Sequence, residues 1–194
     1  IGISLRNAIA TVALALLLGG SAAWALAQRS RIGRWLDPII MLPLGTSAVT
    51  LGFGFIVAFN RSPVNLRASV VLLPLAHTLV AFPFVVRSLL PAYRSIRPHL
   101  RHAAAILGAG PLRVWREVDV PVVGRAAVVA AAFAFSISLG EFGATALLSR
   151  PEFPTVPIAI YRYLSQPGAL NYGQALALST ILMTCCGAGI LAIE

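Results

Sequence analysis

His102-Ala103-Ala104-Ala105-Ile106-Leu107-Gly108 and, nine residues further on, Val118-Asp119-Val120-Pro121 make a short polar and basic interruption between long apolar segments. The pattern predicts two small helices joined by a tight turn. Pro98 suits the first turn of one helix, where its missing N–H is not needed. Gly108 suits that helix's left-handed stop, and Pro111 opens the second helix. Such a unit sits on a membrane face and offers a surface to a partner.

Working outward, the 194 residues are 58% hydrophobic and 11% charged, and the mean hydropathy is +0.86. That balance excludes an ordinary soluble domain and predicts an integral membrane protein. All 15 basic residues are arginine. They lie at the ends of apolar runs rather than clustering on one soluble face, so no nucleic-acid partner is expected and the bilayer is. Ile1 opens the chain without Met or a signal-peptide pattern, and Glu194 closes it as an apolar run finishes, so the sequence reads as a fragment of a longer protein. Cys185 and Cys186 are adjacent inside an apolar run; they fit neither a disulfide framework nor a C-x-x-C site and read as small packing residues.

A hydrocarbon core about 30 Å thick needs about 20 apolar residues per helix. Five stretches qualify: Ala8–Ala27, Pro38–Phe59, Ala68–Val86, Ala126–Leu148 and Ala175–Ile193. The expected fold is therefore an all-α polytopic bundle of about five spans, one transmembrane domain over residues 1–194. Pro43, Pro74 and Pro83 predict kinks in the second and third spans, tolerated when neighbours re-satisfy the freed carbonyls. Arginine sets the orientation. Ten (29, 31, 34, 87, 94, 97, 101, 113, 116, 125) fall in the first and third connections, and five (6, 61, 67, 150, 162) on the other side. The loop 87–125 is thus expected in the cytoplasm and the N-terminus outside.

In the fourth span Ala126, Ala130, Ala134 and Ser138 recur every fourth residue, with Ala132, Ser136, Gly140 and Ala144 as a second small stripe. This spacing predicts close helix approach on two faces; an Ala-rich helix also shows it by chance. The outer loop 149–174 holds Pro151, Pro154, Pro157 and Pro167 around Ile158-Ala159-Ile160-Tyr161-Arg162-Tyr163-Leu164, which reads as an interfacial helix lying flat.

Two ionisable residues fall at depth. Glu141, counted from Ala126, lies roughly 22 Å along its span. A carboxyl there costs about 3 kcal/mol unless it faces protein or water. It reads either as a pathway-lining or gating acid, suited to a cationic cargo, or as a carboxyl tied to the backbone around Gly140 and Gly143. His77, roughly 14 Å into the third span, reads as a packing residue or a partner of a carbonyl freed by Pro74 or Pro83, with a pathway role as the other reading.

The interruption also carries a resemblance. His102-Ala103-Ala104, three residues, Gly108, nine residues, then Val118-x-Val120-Pro121 is similar to the E-A-A-x3-G-x9-I-x-L-P motif of the membrane permeases of bacterial binding-protein-dependent ABC importers. One departure is His102, which stands where the motif has Glu. Ile3 to Ala8 resembles the entry to the first core span. Ser138-Leu139-Gly140-Glu141-Phe142-Gly143-Ala144-Thr145 resembles a segment of the iron(III), thiamine, molybdate and sulfate permeases. Residues 150–161 with Asn171 to Ala175 are most similar to the iron(III) and thiamine group, whose permeases are commonly fusions of two modules. The resemblance implies a type I, molybdate- or maltose-permease-like core in the bacterial inner membrane and one module, the second, of a two-module permease.

It further implies that His102, Ala103, Ala104, Gly108, Gly110 and Pro121 couple the chain to a pair of cytoplasmic ATP-binding subunits, with Gly108 and Gly110 making the sharp turn. An amphipathic helix on the inner leaflet would explain the arginines but not the Ala-Ala-x-x-x-Gly core. The remaining implied partners are a second permease module and an extracytoplasmic binding protein. No metal or cofactor is expected in this chain, ATP belonging to the partner subunit, because no G-x-x-x-x-G-K-[ST] loop is present. The implied cargo is iron(III) or thiamine, with a molybdate or sulfate permease as the alternative. A secondary transporter would need more intramembrane polar groups. An intramembrane enzyme would need a G-x-S-x-G serine or H-E-x-x-H pair, neither of which occurs.

Overall fold

Long apolar runs with small residues at every third or fourth position dictate the architecture, because in lipid such stripes are what lets helix backbones meet. The computed structural model describes residues 1–28, 31–59, 69–149 and 154–191, and among these every regular element is helical. Arg29, Arg61, Arg67 and Arg150 of the arginine count, Pro151 of the outer loop, and the expected span ends at Ala68 and Ile193 lie outside the described residues.

Helix α1 (Gly2–Ala27), α4 (Leu72–Ser95) and α7 (Val120–Gly140) pack against one another in a three-helix core. The face α1 buries is Ala8, Thr11, Ala15, Gly19 and Ala23. Gly19 is obligatory there, since a Cβ would stand 2.7 Å from Val85 Cγ1. From α4 come Ala81, Val85, Val86, Leu89 and Leu90, and from α7 come Val123, Ala130 and Ala134. Of the first small stripe, Ala130, Ala134 and Ser138 are thus buried and Ala126 is half-buried against the core. The second stripe is not buried in this way: Ala132 and Ser136 are half-buried, Gly140 is exposed, and Ala144 belongs to a different helix.

Two expected spans are interrupted. In place of a kinked Pro38–Phe59 the chain forms α2 (Arg31–Met41), a 3-10 turn (Leu42–Gly45) and α3 (Ala48–Phe59), and the two halves meet at 105°. Pro43 offers no N–H to the carbonyl four residues back, the helix tightens, and Thr46 turns extended. The fourth span departs at both ends. It begins at Pro111 with α6 (Pro111–Val114), continues through a π turn (Trp115–Asp119) into α7, and stops at Gly140. Glu141 is extended there, and α8 (Gly143–Leu148) follows as a separate helix. Glu141 is therefore at a helix break, and the depth counted from Ala126 does not apply. Among the described residues, four helices are long and apolar enough to cross a membrane, or up to five with the bent pair as one span.

The remaining expectations shift by register. α4 starts at Leu72, so Pro74 sits harmlessly in the first turn; the helix runs unbroken past Pro83 and Pro91 to Ser95. The connection expected over 87–125 therefore shrinks to α5 (Pro98–Ile106) and the turn to α6. α9 (Val156–Leu164) occupies the expected interfacial segment. Its first turn is buried: Val156 N–H donates to Ser4 Oγ at 2.8 Å, while Tyr161 remains exposed and packs on Phe142. α10 (Ala169–Leu191) packs on α9 and α7.

Candidate functional site

Two constellations lie along α1, one at its last turn and one against its first half. At its last turn is the unit α5–turn–α6. Arg97 is extended and Pro98 opens α5. The stop is a complete Schellman motif: Ala109 N–H donates to Ala104 O and Gly108 N–H to Ala105 O, each at 3.0 Å. Gly108 takes φ +81°, and a Cβ there would meet nothing within 4 Å, so backbone conformation and not space requires glycine. The implied role of Gly110 in the turn does not hold. Its φ of −68° and ψ of 166° suit any residue, and it serves as the extended cap before Pro111.

Local sequence also explains the π turn. Val120 N–H reaches back five residues to Trp115 O, and Pro121, lacking an N–H, cannot restore the usual ladder behind it. The turn brings Asp119 inward, where Arg101 Nε donates to its Oδ1 at 2.8 Å; the Asp119 side chain is 9% exposed. The pair lines an open cleft of about 690 Å³ with Trp24, Gln28, Tyr93 and Trp115.

Of the residues singled out by the motif, His102, Ala103, Gly108, Gly110 and Pro121 are exposed, and Ala104 is half-buried. The structure brings the first four of the motif onto one projecting unit and leaves Pro121 at the base of α7. Sequence reasoning missed the apolar knobs on that unit: Ile106, Leu107 and Leu112 are 85%, 87% and 76% exposed. The arrangement presents apolar and basic groups on one projecting turn, which suits binding in a groove.

Against the first half of α1, at Thr11, lies a buried polar chain. His77, only 1% exposed, has Nδ1 2.8 Å from Ser138 Oγ and Nε2 2.7 Å from Thr145 Oγ1. Ser138 Oγ is in turn 3.2 Å from Thr11 Oγ1. Thr145 donates to Glu141 O at 2.8 Å and Ser138 donates to Thr11 Oγ1, so both hydroxyl oxygens face the ring as acceptors, and the imidazole donates to one of them from whichever nitrogen carries its proton. The Glu141 carboxylate accepts from Ala144 N–H at 3.0 Å, serving an otherwise open donor of α8. His77 and Glu141 are thus drawn into one network. His77 finds hydroxyls, not a carbonyl freed by proline, and the Glu141 geometry is that of the backbone tie. No local signal pointed to Thr11 or Thr145 as partners, since 61 to 127 residues of sequence separate the bonded side chains of different helices.

No family model matches the chain. Curated proteins do. A protein named as a 2-aminoethylphosphonate transport system permease, PhnV of Salmonella paratyphi A, is 31% identical over 171 residues, 88% of this chain and 64% of that protein. The molybdenum transport system permease protein ModB of Mycobacterium tuberculosis is 33% identical over 206 residues, 98% of this chain and 76% of ModB. ModB of Haemophilus influenzae is 30% identical, over 95% and 87%. These relatives support the permease reading and not the iron(III) and thiamine group within it. With its apolar helices and these relatives, the chain is a multi-pass protein of the bacterial inner membrane, and it belongs to the permease family of ABC importers.

Proposed function

We propose that the chain is the membrane-spanning component of an ATP-driven importer whose cargo is a small oxyanion, molybdate or an organophosphonate, handed over by an extracytoplasmic binding protein. The observation that carries this reading is the projecting α5–Gly108–α6 unit, whose motif spacing, exposed apolar knobs and basic rim suit the groove of a cytoplasmic ATPase subunit. The arginine-rich end is then cytoplasmic. ATP binds and is hydrolysed on a pair of separate subunits, and a second permease module, fused or homologous, completes the pathway.

Closure of the ATPase pair moves the two α5 units together, and the bundles rock as rigid bodies between inward and outward access. Cargo chemistry follows from the relatives' names, and the hydrogen bond from Ala144 N–H to the Glu141 carboxyl suits a structural tie. We assign Glu141 and His77 to holding the outer end of the bundle together. The test is reconstitution of the full-length permease with its ATPase and binding protein. ATP-dependent uptake of radiolabelled molybdate or 2-aminoethylphosphonate, and crosslinking of an Ala103→Cys variant to the ATPase, are expected. Preferential uptake of iron(III) or thiamine would overturn the cargo, and uptake without ATP would overturn the importer itself.

A further inference from the structure

The unit that would receive the ATPase is poorly held. α5 packs mainly against α6, and Leu100, Ile106 and Leu107 on and after it are exposed. Apolar burial therefore fixes neither its angle nor its distance to the spans, and a displacement applied to α5 would be absorbed in the turn at Gly108. Three ion pairs stand among the described residues. Arg113–Glu117 lies within one turn and is exposed, and Arg87–Asp37 is long at 3.9 Å. Arg101–Asp119 differs from both: it joins α5 to the start of α7, at 2.8 Å, with the carboxylate buried.

The π turn makes this pairing possible. One extra residue in a turn shifts the face of everything after it by about 100°, and here it leaves Asp119 inward, under Arg101. Tyr93, Gln28, Trp24 and Trp115 close the surroundings of the pair, and Arg94 lines the adjoining hollow. Charge thus supplies the fixity that packing does not.

We propose that Arg101 and Asp119 are positioning residues that lock α5 and α7 into one lever. A push on α5 arrives undiminished at α7, whose far end, roughly 28 Å away at the helical rise, carries Ser138 against His77 and Thr11. This rests on the reading of α5 as the ATPase-docking helix.

The test uses the full-length permease in complex with its ATPase, with Cys185 and Cys186 replaced and spin labels at Leu100 on α5 and Val128 on α7. The distance distribution is expected to be narrow without nucleotide and after trapping with ATP and vanadate. In Arg101→Gln and in Asp119→Asn its width should roughly double in both states, the loss of a partner leaving the other group uncompensated. ATP hydrolysis should stay within about two-fold of the unsubstituted complex and the Ala103→Cys crosslink to the ATPase should persist, since docking does not use the pair. Arg101→Lys, which keeps a charge, should retain the narrow width, which a loss of packing would not. An unchanged width in both uncharged variants would overturn the tie. Absence of the Ala103→Cys crosslink in the otherwise unsubstituted chain would instead overturn the docking reading, while the width still judges the tie.

Discussion

Beside Thr11 in the first half of α1, His77 is 1% exposed and ties α4 to α7 and α8 through side-chain hydroxyls; where α1 finishes, Ile106 and Leu107 stand 85% and 87% exposed on a turn held by backbone hydrogen bonds. The first region is built from contacts between residues far apart in the chain, with His77 and the hydroxyls around it paired inside the protein. The turn of the second is built from backbone contacts three to five residues apart, with its apolar side chains left outward. A region that spends its side chains on itself is a brace. One that keeps them outward is a dock.

The contrast breaks most directly at His77. His77→Ala removes two buried hydrogen bonds and opens a cavity, and about 2–4 kcal/mol of stability should go with it. Thermal unfolding of the purified complex should show the loss, while the Ala103→Cys crosslink to the ATPase remains. If instead the melting point holds and the crosslink fails, the two ends are not separate devices.

At the other end Gly108→Val forces a β-branched residue into φ +81°, a strain of roughly 1–2 kcal/mol confined to the turn. ATP-driven uptake should fall by about ten-fold, at 1.4 kcal/mol per decade, with membrane insertion and ATP hydrolysis preserved. Transport at the unsubstituted rate would remove the turn from the coupling route.

Glu141 sharpens the comparison at smaller scale. Glu141→Gln keeps an acceptor for Ala144 N–H and should leave uptake and melting temperature unchanged, whereas Glu141→Ala opens a donor of α8 and should cost about 1 kcal/mol. Loss of uptake in Gln with stability intact would return Glu141 to the pathway. The smallest effect is expected at Gly110, where φ is negative and a Cβ meets nothing. Gly110→Ala should change uptake and stability by less than about 0.5 kcal/mol equivalent, and a defect there would mean that the docked partner, not the turn, requires glycine.

What the sequence made legible follows the same division. Pro98, Gly108 and Pro111 announced a helix, its left-handed stop and the next start, because each acts on the backbone within one turn. The small stripe Ala126, Ala130, Ala134, Ser138 announced a packed face for the same reason. Hydropathy placed α1 and α10, yet it ran straight through Leu42–Gly45 and through Glu141, where the chain turns. Arg101 was counted as a loop charge; its meeting with Asp119 depends on a π turn that Pro121 permits but does not by itself announce. Thr145 was visible only as part of a familiar segment, and its bond to His77 depends on α8 folding back beside α4.

α3 and α8 pack together so closely that a Cβ on Gly52 would lie 2.9 Å from Ala144 Cα. With 12 and 6 residues, they measure roughly 18 Å and 9 Å at the helical rise, too short to cross hydrocarbon singly. Each start and stop beside them bares up to four amide or carbonyl groups. A membrane protein can therefore concentrate main-chain dipoles at such breaks, and a reader counting letters sees only Leu, Gly and Ala where the polarity belongs to the backbone.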